Sequence, residues 1–325
     1  LIGKPFSKPK FDMMYAGALG AAVYAVHYSQ EVNKHTAEGK NPVKEGLVHI
    51  AALIDAKEEE FIESEDGRKK VGYFCAYTPI ELLSAYNVRH ARLFKSGNSE
   101  TVAAGELLTQ SVFCDFSKSC IGGFLEGEGE IPLYRSIDKV YNFHTCGSMK
   151  RVSEVLEDYV PVKLLNLPKI RDSKDSREFF KHEIEHFGDD LQLLTGNKIE
   201  KEELRRRIKA YNKVRRVIKN ISELRKKDNP ILSGSEFLEL VRGFYFLEPE
   251  EILPVYEELY SKLEKESKEK KKSSEKLRIM IAGSLAADGD RRILDILENE
   301  LNIDIVVEDH CTGVKPFYHE LDEKE

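Results

Sequence analysis

Cysteines are the side chains of this sequence best suited to chemistry, and all five lie near the end of an apolar run or in the turn after it. The five are Cys75, Cys114, Cys120, Cys146 and Cys311. Cysteine thiolates are soft, anionic ligands that suit iron and sulfide. Sites in α/β proteins are built at the carboxyl ends of strands. The pattern therefore predicts one thiolate-ligated site, with an iron–sulfur cluster as its favoured occupant.

Other cysteine chemistry fits the spacing less well. A structural zinc site or a thioredoxin-type redox pair would show C-x-x-C, which the sequence lacks. A catalytic cysteine needs a histidine partner, and both His144 and His310 lie beside cysteines, which would give two nucleophiles where one suffices. Beside a cluster, these histidines are candidate proton donors; otherwise they are hydrogen-bonded turn residues. Any single cysteine can also be a small buried hydrophobic residue.

Cys114 and Cys120 raise a geometric question. Six residues correspond to a rotation of about 240° on a continuous helix. Both thiols can therefore face one centre only if a helix begins between them. Asp115 and Ser117 are the residues that could cap such a start.

Composition narrows the class of protein. The 325 residues carry a net charge of −7, which argues against nucleic acid as a partner. No apolar run is long enough for a transmembrane helix, so no membrane association is expected. An odd number of cysteines without a secretory signal predicts reduced thiols and a cytoplasmic location.

Alternating strand and helix patterns predict an α/β fold with parallel sheets. Predicted strands cover residues 70–75, 88–94, 139–143, 162–167, 277–283 and 303–308. Four units follow from the pattern: N-terminal helices in 1–64, a first α/β domain in 65–172, a helical segment in 173–275 and the start of a second α/β domain in 276–325. Because two strands cannot bury a core alone, either they join the first sheet or the second domain is incomplete as given, and the second alternative is favoured.

Two further motifs admit more than one interpretation. The loop 283–289 is similar to an anion-binding turn between a strand and a helix, but it lacks the lysine of a P-loop. The arginine run 205–207 is expected on the solvated face of a long helix. The alternative is that these arginines bind an anionic partner. In that case the helical segment is a candidate docking surface for an activator protein.

The cysteine motifs resemble a known family. F-C-A-Y-T-P-I-E-L-L, C-D-F-S-K-S-C-I-G-G, H-T-C-G-S-M-K-R-V and V-V-E-D-H-C-T-G are similar to the D-component of 2-hydroxyacyl-CoA dehydratases and to benzoyl-CoA reductase subunits. The likeness runs from about Val71 to the chain end. It implies two Rossmann-like domains with a [4Fe-4S] cluster between them, on three cysteines that would match Cys75, Cys114 and a C-terminal cysteine.

The additional cysteines are similar to those of double-cubane cluster proteins in the same superfamily. In that case Cys120, Cys146 and Cys311 are further ligands of an [8Fe-9S] cluster, and a sixth cysteine is expected beyond Glu325. The resemblance implies a homodimeric, low-potential reductase of small molecules that receives electrons from an ATP-hydrolysing iron–sulfur activator. The alternatives are a 2-hydroxyacyl-CoA dehydratase subunit with one [4Fe-4S] cluster, and a non-catalytic cluster-binding scaffold.

Overall fold

The computed structural model describes residues 42–170, 173–269, 276–283 and 285–324. Of the N-terminal helices predicted in 1–64, the part in residues 1–41 lies outside these ranges. Within them, no helix is long and apolar enough to cross a membrane.

The first sheet has four parallel strands in the order β2-β1-β3-β4. They are β1 (Lys70–Tyr73), β2 (Arg89–Arg92), β3 (Lys139–His144) and β4 (Val162–Asn166). Strands β1 and β3 form the buried centre, as expected for a parallel sheet covered on both faces. The sheet confirms the predicted α/β class.

Six helices accompany this sheet. They are α1 (Pro42–Glu63), α2 (Ile80–Ala85), α3 (Ser99–Glu106), α4 (Asp115–Gly122), α5 (Pro132–Arg135) and α6 (Gly147–Leu156). Helix α4 begins earlier than expected: the sequence pattern predicts a turn over residues 114–120 and a helix only over 121–125, whereas Asp115–Gly122 is helical. Cys114 is its extended N-cap residue, so Asp115 lies inside the helix and makes no cap.

The helical segment predicted in 173–275 contains four helices in its described part: α7 (Lys174–Thr195), α8 (Lys201–Arg225), α9 (Gly234–Phe244) and α10 (Pro249–Glu269). Helix α7 ends at Gly196, whose φ of 71° lies in the left-handed region. Helix α9 begins with a capping box between Ser233 and Glu236. These signals fix the helix ends locally.

The second sheet consists of the parallel pair β5 (Arg278–Ala282) and β6 (Asp304–Asp309), and in the described residues it does not join the first sheet. Between the strands lie α11 (Arg292–Asp295) and a π-helical turn (Ile296–Glu300). The largest hydrophobic cluster joins α1, the first sheet, the helical segment and Phe317. The helical segment therefore shares its core with the sheet, and the proposed domain boundaries stay a prediction.

Candidate cysteine site

The strand order creates a switch point at the centre of the first sheet. The chain passes from β1 outward to β2 on one side, and β3 lies on the other side of β1. A crevice forms where successive connections diverge, at the carboxyl ends of the two central strands. Cys75 follows β1 and Cys146 follows β3. The topology thus places two of the five cysteines beside the crevice in which α/β proteins bind ligands.

Cys311 reaches the same region from the second sheet. It follows β6 in a tight turn, in which the N–H of Val314 donates to the carbonyl of Glu308 over 2.9 Å. The turn requires Gly313, because a Cβ there would lie 2.2 Å from that carbonyl oxygen. Arg92, the last residue of β2, donates from Nη1 to the Cys311 carbonyl over 2.7 Å and from Nη2 to Sγ over 3.1 Å.

Cys75 follows a residue that the same guanidinium group contacts. Arg92 Nε donates to the carbonyl of Phe74 over 3.2 Å, so one arginine ties the end of β1 to the turn after β6. The Cys75 thiol is half-buried and accepts a hydrogen bond from the backbone N–H of Tyr77. Burial raises the pKa of Cys75 to about 11, against the opposing effects of that hydrogen bond and of the Arg92 charge.

Cys114 and Cys146 occupy equivalent places on two helices. Cys114 is the N-cap residue of α4 and Cys146 is the N-cap residue of α6, and both side chains are exposed. The sulfur of Cys114 lies 2.8 Å from Ser117 Oγ. Free N–H groups at a helix N-terminus stabilise negative charge, so both positions suit anionic sulfur ligands.

Glycines set the position of α4 against α3. A Cβ on Gly122 would lie 1.9 Å from the carbonyl oxygen of Thr101, and a Cβ on Gly105 would lie 1.8 Å from that of Lys118. The two helix backbones therefore touch where any larger residue would push them apart. This contact fixes the direction in which α4 presents Cys114.

Cys120 has a different environment from the other four cysteines. It is fully buried in α4, within the hydrophobic cluster that includes Ile121, Phe124 and Tyr134. Burial first, and then the nearby Cys114 sulfur, hold the pKa of Cys120 well above its ordinary value. A helix does begin between Cys114 and Cys120, as the geometry required, but the Cys120 side chain lies in the core. Its ligand role stays a prediction.

The two candidate histidines, His144 and His310, differ in burial. His144 is the last residue of β3 and is half-buried. His310 is buried, with Nδ1 located 3.1 Å from Thr312 Oγ1. Burial, followed by the Arg92 charge, lowers the pKa of His310 to about 4, so its imidazole is neutral at neutral pH. As a proton donor, His310 would therefore act through a neutral ring N–H.

The donor set suits a cluster better than a single ion. All five cysteines are free thiols. Across residues 42–170, 173–269, 276–283 and 285–324, no three Cys, His, Asp or Glu side chains converge closely enough to hold one metal ion. A cluster of several irons presents its binding positions at separate corners, so its ligands need not meet at one point. The structure brings the Cys311 sulfur against the buried Arg92 guanidinium and, within its described part, gives no contact between Cys114 or Cys146 and these two residues; thiols at strand ends and helix N-termini are the donor type that such a group takes.

Sequence reasoning missed Arg92. Its strand was predicted, but nothing in the pattern R-H-A-R-L distinguishes a site residue from a strand residue. The β1–β2 register, which pairs Tyr73 with Arg92, is what brings the side chain to the ends of both strands. A charged residue at the carboxyl end of a buried strand is the one signal that could have indicated it.

The arginine run 205–207 is engaged within the chain. Arg206 donates to Glu203 and Glu250, and Arg207 donates to Glu203, Glu248 and Glu250. These ion pairs connect α8 with the start of α10. A role in docking an activator stays a prediction, since the charges are largely balanced by neighbouring carboxylates.

The described residues form an α/β protein whose cysteines, Cys120 apart, follow parallel strands or precede helices. Residues 75–325 match the family model described as 2-hydroxyglutaryl-CoA dehydratase, D-component. The chain belongs to this family, which confirms the resemblance in the cysteine motifs.

Curated relatives agree with the family. The chain is 25% identical over 252 residues to YjiM of Escherichia coli (strain K12), which carries the name of a dehydratase subunit. It is 25% identical over 251 residues to the (R)-phenyllactyl-CoA dehydratase beta subunit of Clostridium sporogenes, and 23% identical over 195 residues to a benzoyl-CoA reductase subunit of Thauera aromatica. These alignments cover 77%, 75% and 58% of this chain and 65%, 63% and 48% of the relatives. The chain thus spans about half to two thirds of their length.

Proposed function

We propose that this chain holds an iron–sulfur cluster on cysteine thiolates and acts as a low-potential reductase. One observation carries the proposal: Cys75 and Cys311 follow strands of two different sheets, and the buried Arg92 guanidinium links the two turns by donating to the Phe74 carbonyl and to the carbonyl and sulfur of Cys311. Free thiols gathered around a buried cation are the arrangement that an anionic, thiolate-ligated group requires.

The bound cluster would supply single-electron chemistry, and the chain would set its ligation, burial and access. Cys75, Cys114, Cys146 and Cys311 are the residues proposed to hold it. The half-buried Cys75 and Cys311 would fix its inner side. The exposed Cys114 and Cys146 would lie on the side open to substrate and electron donor. His144 and His310 stay candidate proton donors.

The proposed partners follow from the family. We propose that an ATP-hydrolysing iron–sulfur activator delivers the electrons, that the chain forms a homodimer and that it reduces a small molecule. Two relatives act, by their names, on (R)-phenyllactyl-CoA and benzoyl-CoA, which makes an acyl-CoA the first substrate class to test.

Two cluster types remain in competition. The number of cysteines favours the double-cubane [8Fe-9S] form, since one [4Fe-4S] cluster in this family needs fewer. The burial of Cys120 in the hydrophobic core favours the second candidate, a 2-hydroxyacyl-CoA dehydratase subunit with one [4Fe-4S] cluster. A ligand role for Cys120 would require α4 to rearrange.

Iron and acid-labile sulfide should be counted in protein that is purified and reconstituted without oxygen. About eight irons per chain would support the double cubane, and about four the single cluster. A Cys75→Ser/Cys311→Ser double variant should lose most of the iron, and Cys120→Ala separately tests whether the fifth thiol is a ligand. No bound iron in the parent protein, or unchanged iron in the double variant, would refute the proposal.

Activity separates an enzyme from a scaffold. Cluster-loaded protein should be incubated with a family activator, ATP and an acyl-CoA, and product should be measured with and without ATP. ATP-dependent turnover supports the reductase or the dehydratase, according to the product. Full iron content without electron transfer from any activator would instead support a non-catalytic scaffold.

A further inference from the structure

Arg92 is enclosed by the protein to an extent that is unusual for a cation. Its side chain is 2% exposed. The guanidinium makes three hydrogen bonds, two of them to backbone carbonyls and one to the Cys311 sulfur. Its flat faces lie near two aromatic rings, 4.4 Å from the centroid of Tyr245 and 5.5 Å from that of Phe94. Carbonyl dipoles and aromatic faces stabilise a cation, but they do not neutralise it.

No carboxylate of the described residues lies within ion-pair distance of Arg92. The other fully enclosed arginine shows what is missing. Arg225 is 0% exposed and donates to both carboxylate oxygens of Glu308, over 2.6 Å and 2.5 Å. Burying a charge without a partner costs free energy, so an anion bound next to Arg92 would be stabilised.

The thiol sulfurs are the groups positioned to become that anion. Arg92 Nη2 already donates to Cys311 Sγ over 3.1 Å, and its Nε holds the residue that precedes Cys75. Thiolate ligation would place negative charge directly against the guanidinium. Reduction of a bound cluster adds one more negative charge, which a nearby cation stabilises.

We infer that Arg92 is a positioning residue that holds Cys311 in ligating orientation and favours the reduced state of the centre through its charge. This inference rests on the proposed function, because it assigns a role toward the proposed cluster. The inference predicts the direction of the change: when the cation at position 92 is removed, the midpoint potential of the proposed cluster becomes more negative.

The test compares three variants of the cluster-loaded protein. Arg92→Gln removes the charge, and Arg92→Lys retains it with fewer hydrogen bonds. Arg89→Gln is the control, because Arg89 begins the same strand and pairs with Glu60 and Asp66 at the opposite end. Iron content, the midpoint potential from a spectroscopically monitored redox titration, and the unfolding midpoint of the iron-free chain are measured for each.

We expect Arg92→Gln to shift the reduction equilibrium by about tenfold toward the oxidised state, which is about 59 mV for one electron. Arg92→Lys should recover most of this shift, and Arg89→Gln should show none. If Arg92→Gln fails to bind iron, the midpoint potential of Arg92→Lys becomes the test. A potential like that of the parent protein supports the charge effect, and a strongly lowered potential contradicts it.

When Arg92→Gln binds iron, two outcomes overturn the inference alone. One is a normally loaded Arg92→Gln protein with the parent potential, which would leave the proposed function intact. The other is an equal shift of the midpoint potential in Arg92→Lys and Arg92→Gln, together with a loss of stability in both iron-free chains. A merely structural role of Arg92 would produce that result. A parent protein that binds no iron would overturn both the inference and the proposed function.

Discussion

The ion pair between Arg225 and Glu308 should be one of the strongest single determinants of stability in this chain. Arg225 ends α8 and Glu308 lies in β6, so the pair joins the helical segment to the strand that precedes Cys311. Both side chains are almost completely enclosed, at 0% and 4% exposure. Arg225 also donates to the carbonyls of Leu232 and Ile305. The perturbation of choice is Glu308→Gln, which preserves shape and removes the charge.

The expected cost follows from the contacts. Hydrogen bonds to charged groups contribute about 1.5–3 kcal/mol each, so the two between Arg225 and Glu308 amount to about 3–6 kcal/mol. Removing one partner of a buried pair is strongly destabilising, by about 3–5 kcal/mol, because the other charge stays buried. We therefore expect Glu308→Gln to lower the free energy of unfolding by about 3–5 kcal/mol. At a urea m-value of about 3 kcal/mol/M, the midpoint would fall by at least about 1 M.

Equilibrium urea unfolding of the reduced, iron-free chain measures this effect. The single variants Arg225→Met and Glu308→Leu form a double-mutant cycle with Arg225→Met/Glu308→Leu, and the double variant should recover much of the loss because apolar residues replace both charges. A cost below about 1 kcal/mol for Glu308→Gln would refute the reasoning. Strict additivity of the single changes would also refute it, since it would mean that the two charges do not interact.

Three further expectations concern other parts of the chain. Gly122→Ala should destabilise by about 1–3 kcal/mol and reduce iron loading, because its Cβ would overlap the Thr101 carbonyl; Gly147→Ala, with nothing within 4 Å, should leave unfolding and loading almost unchanged. Burial alone would raise the pKa of Asp288, but two neighbouring arginines lower it to about 2. Its stabilising contribution is therefore complete above about pH 4 and is lost as pH falls toward 2, so Asp288→Asn should flatten the stability profile over that window. Cys120→Ala should lower the unfolding midpoint, as expected for a core residue, and the iron content of that variant tells whether its thiol is also a ligand.

The sequence was sufficient to locate all six strands and the longer helices. Buried strands such as β1 and β3 are short apolar runs bounded by turn residues, and the amphipathic helices repeat their apolar positions about every 3.6 residues. The order of the strands in the sheet could not be predicted from the sequence. The placement of Cys75 and Cys146 at one switch point depends on β1 pairing with both β2 and β3, which no local pattern encodes.

The start of α4 was also missed for a physical reason. Residues 115–122 contain serine, aspartate and glycine, which favour caps and turns, so the local pattern indicated a turn. Close approach of Gly122 to Thr101 allows α4 to pack against α3, and this tertiary contact outweighs the weak helix propensity. The same packing draws Cys120 into the core, where a spacing argument alone cannot place it.

The end of β6 shows why the site needs the helical segment. Glu308 and Cys311 lie three residues apart, and each is held by an arginine from another element, Arg225 of α8 and Arg92 of β2. The first arginine meets a carboxylate, so its charge is balanced before any ligand binds. The second contacts a sulfur atom and two carbonyl groups, and no carboxylate of the described residues lies within ion-pair distance of it. One arginine therefore serves folding, and the other links the fold to the chemistry proposed for Cys311.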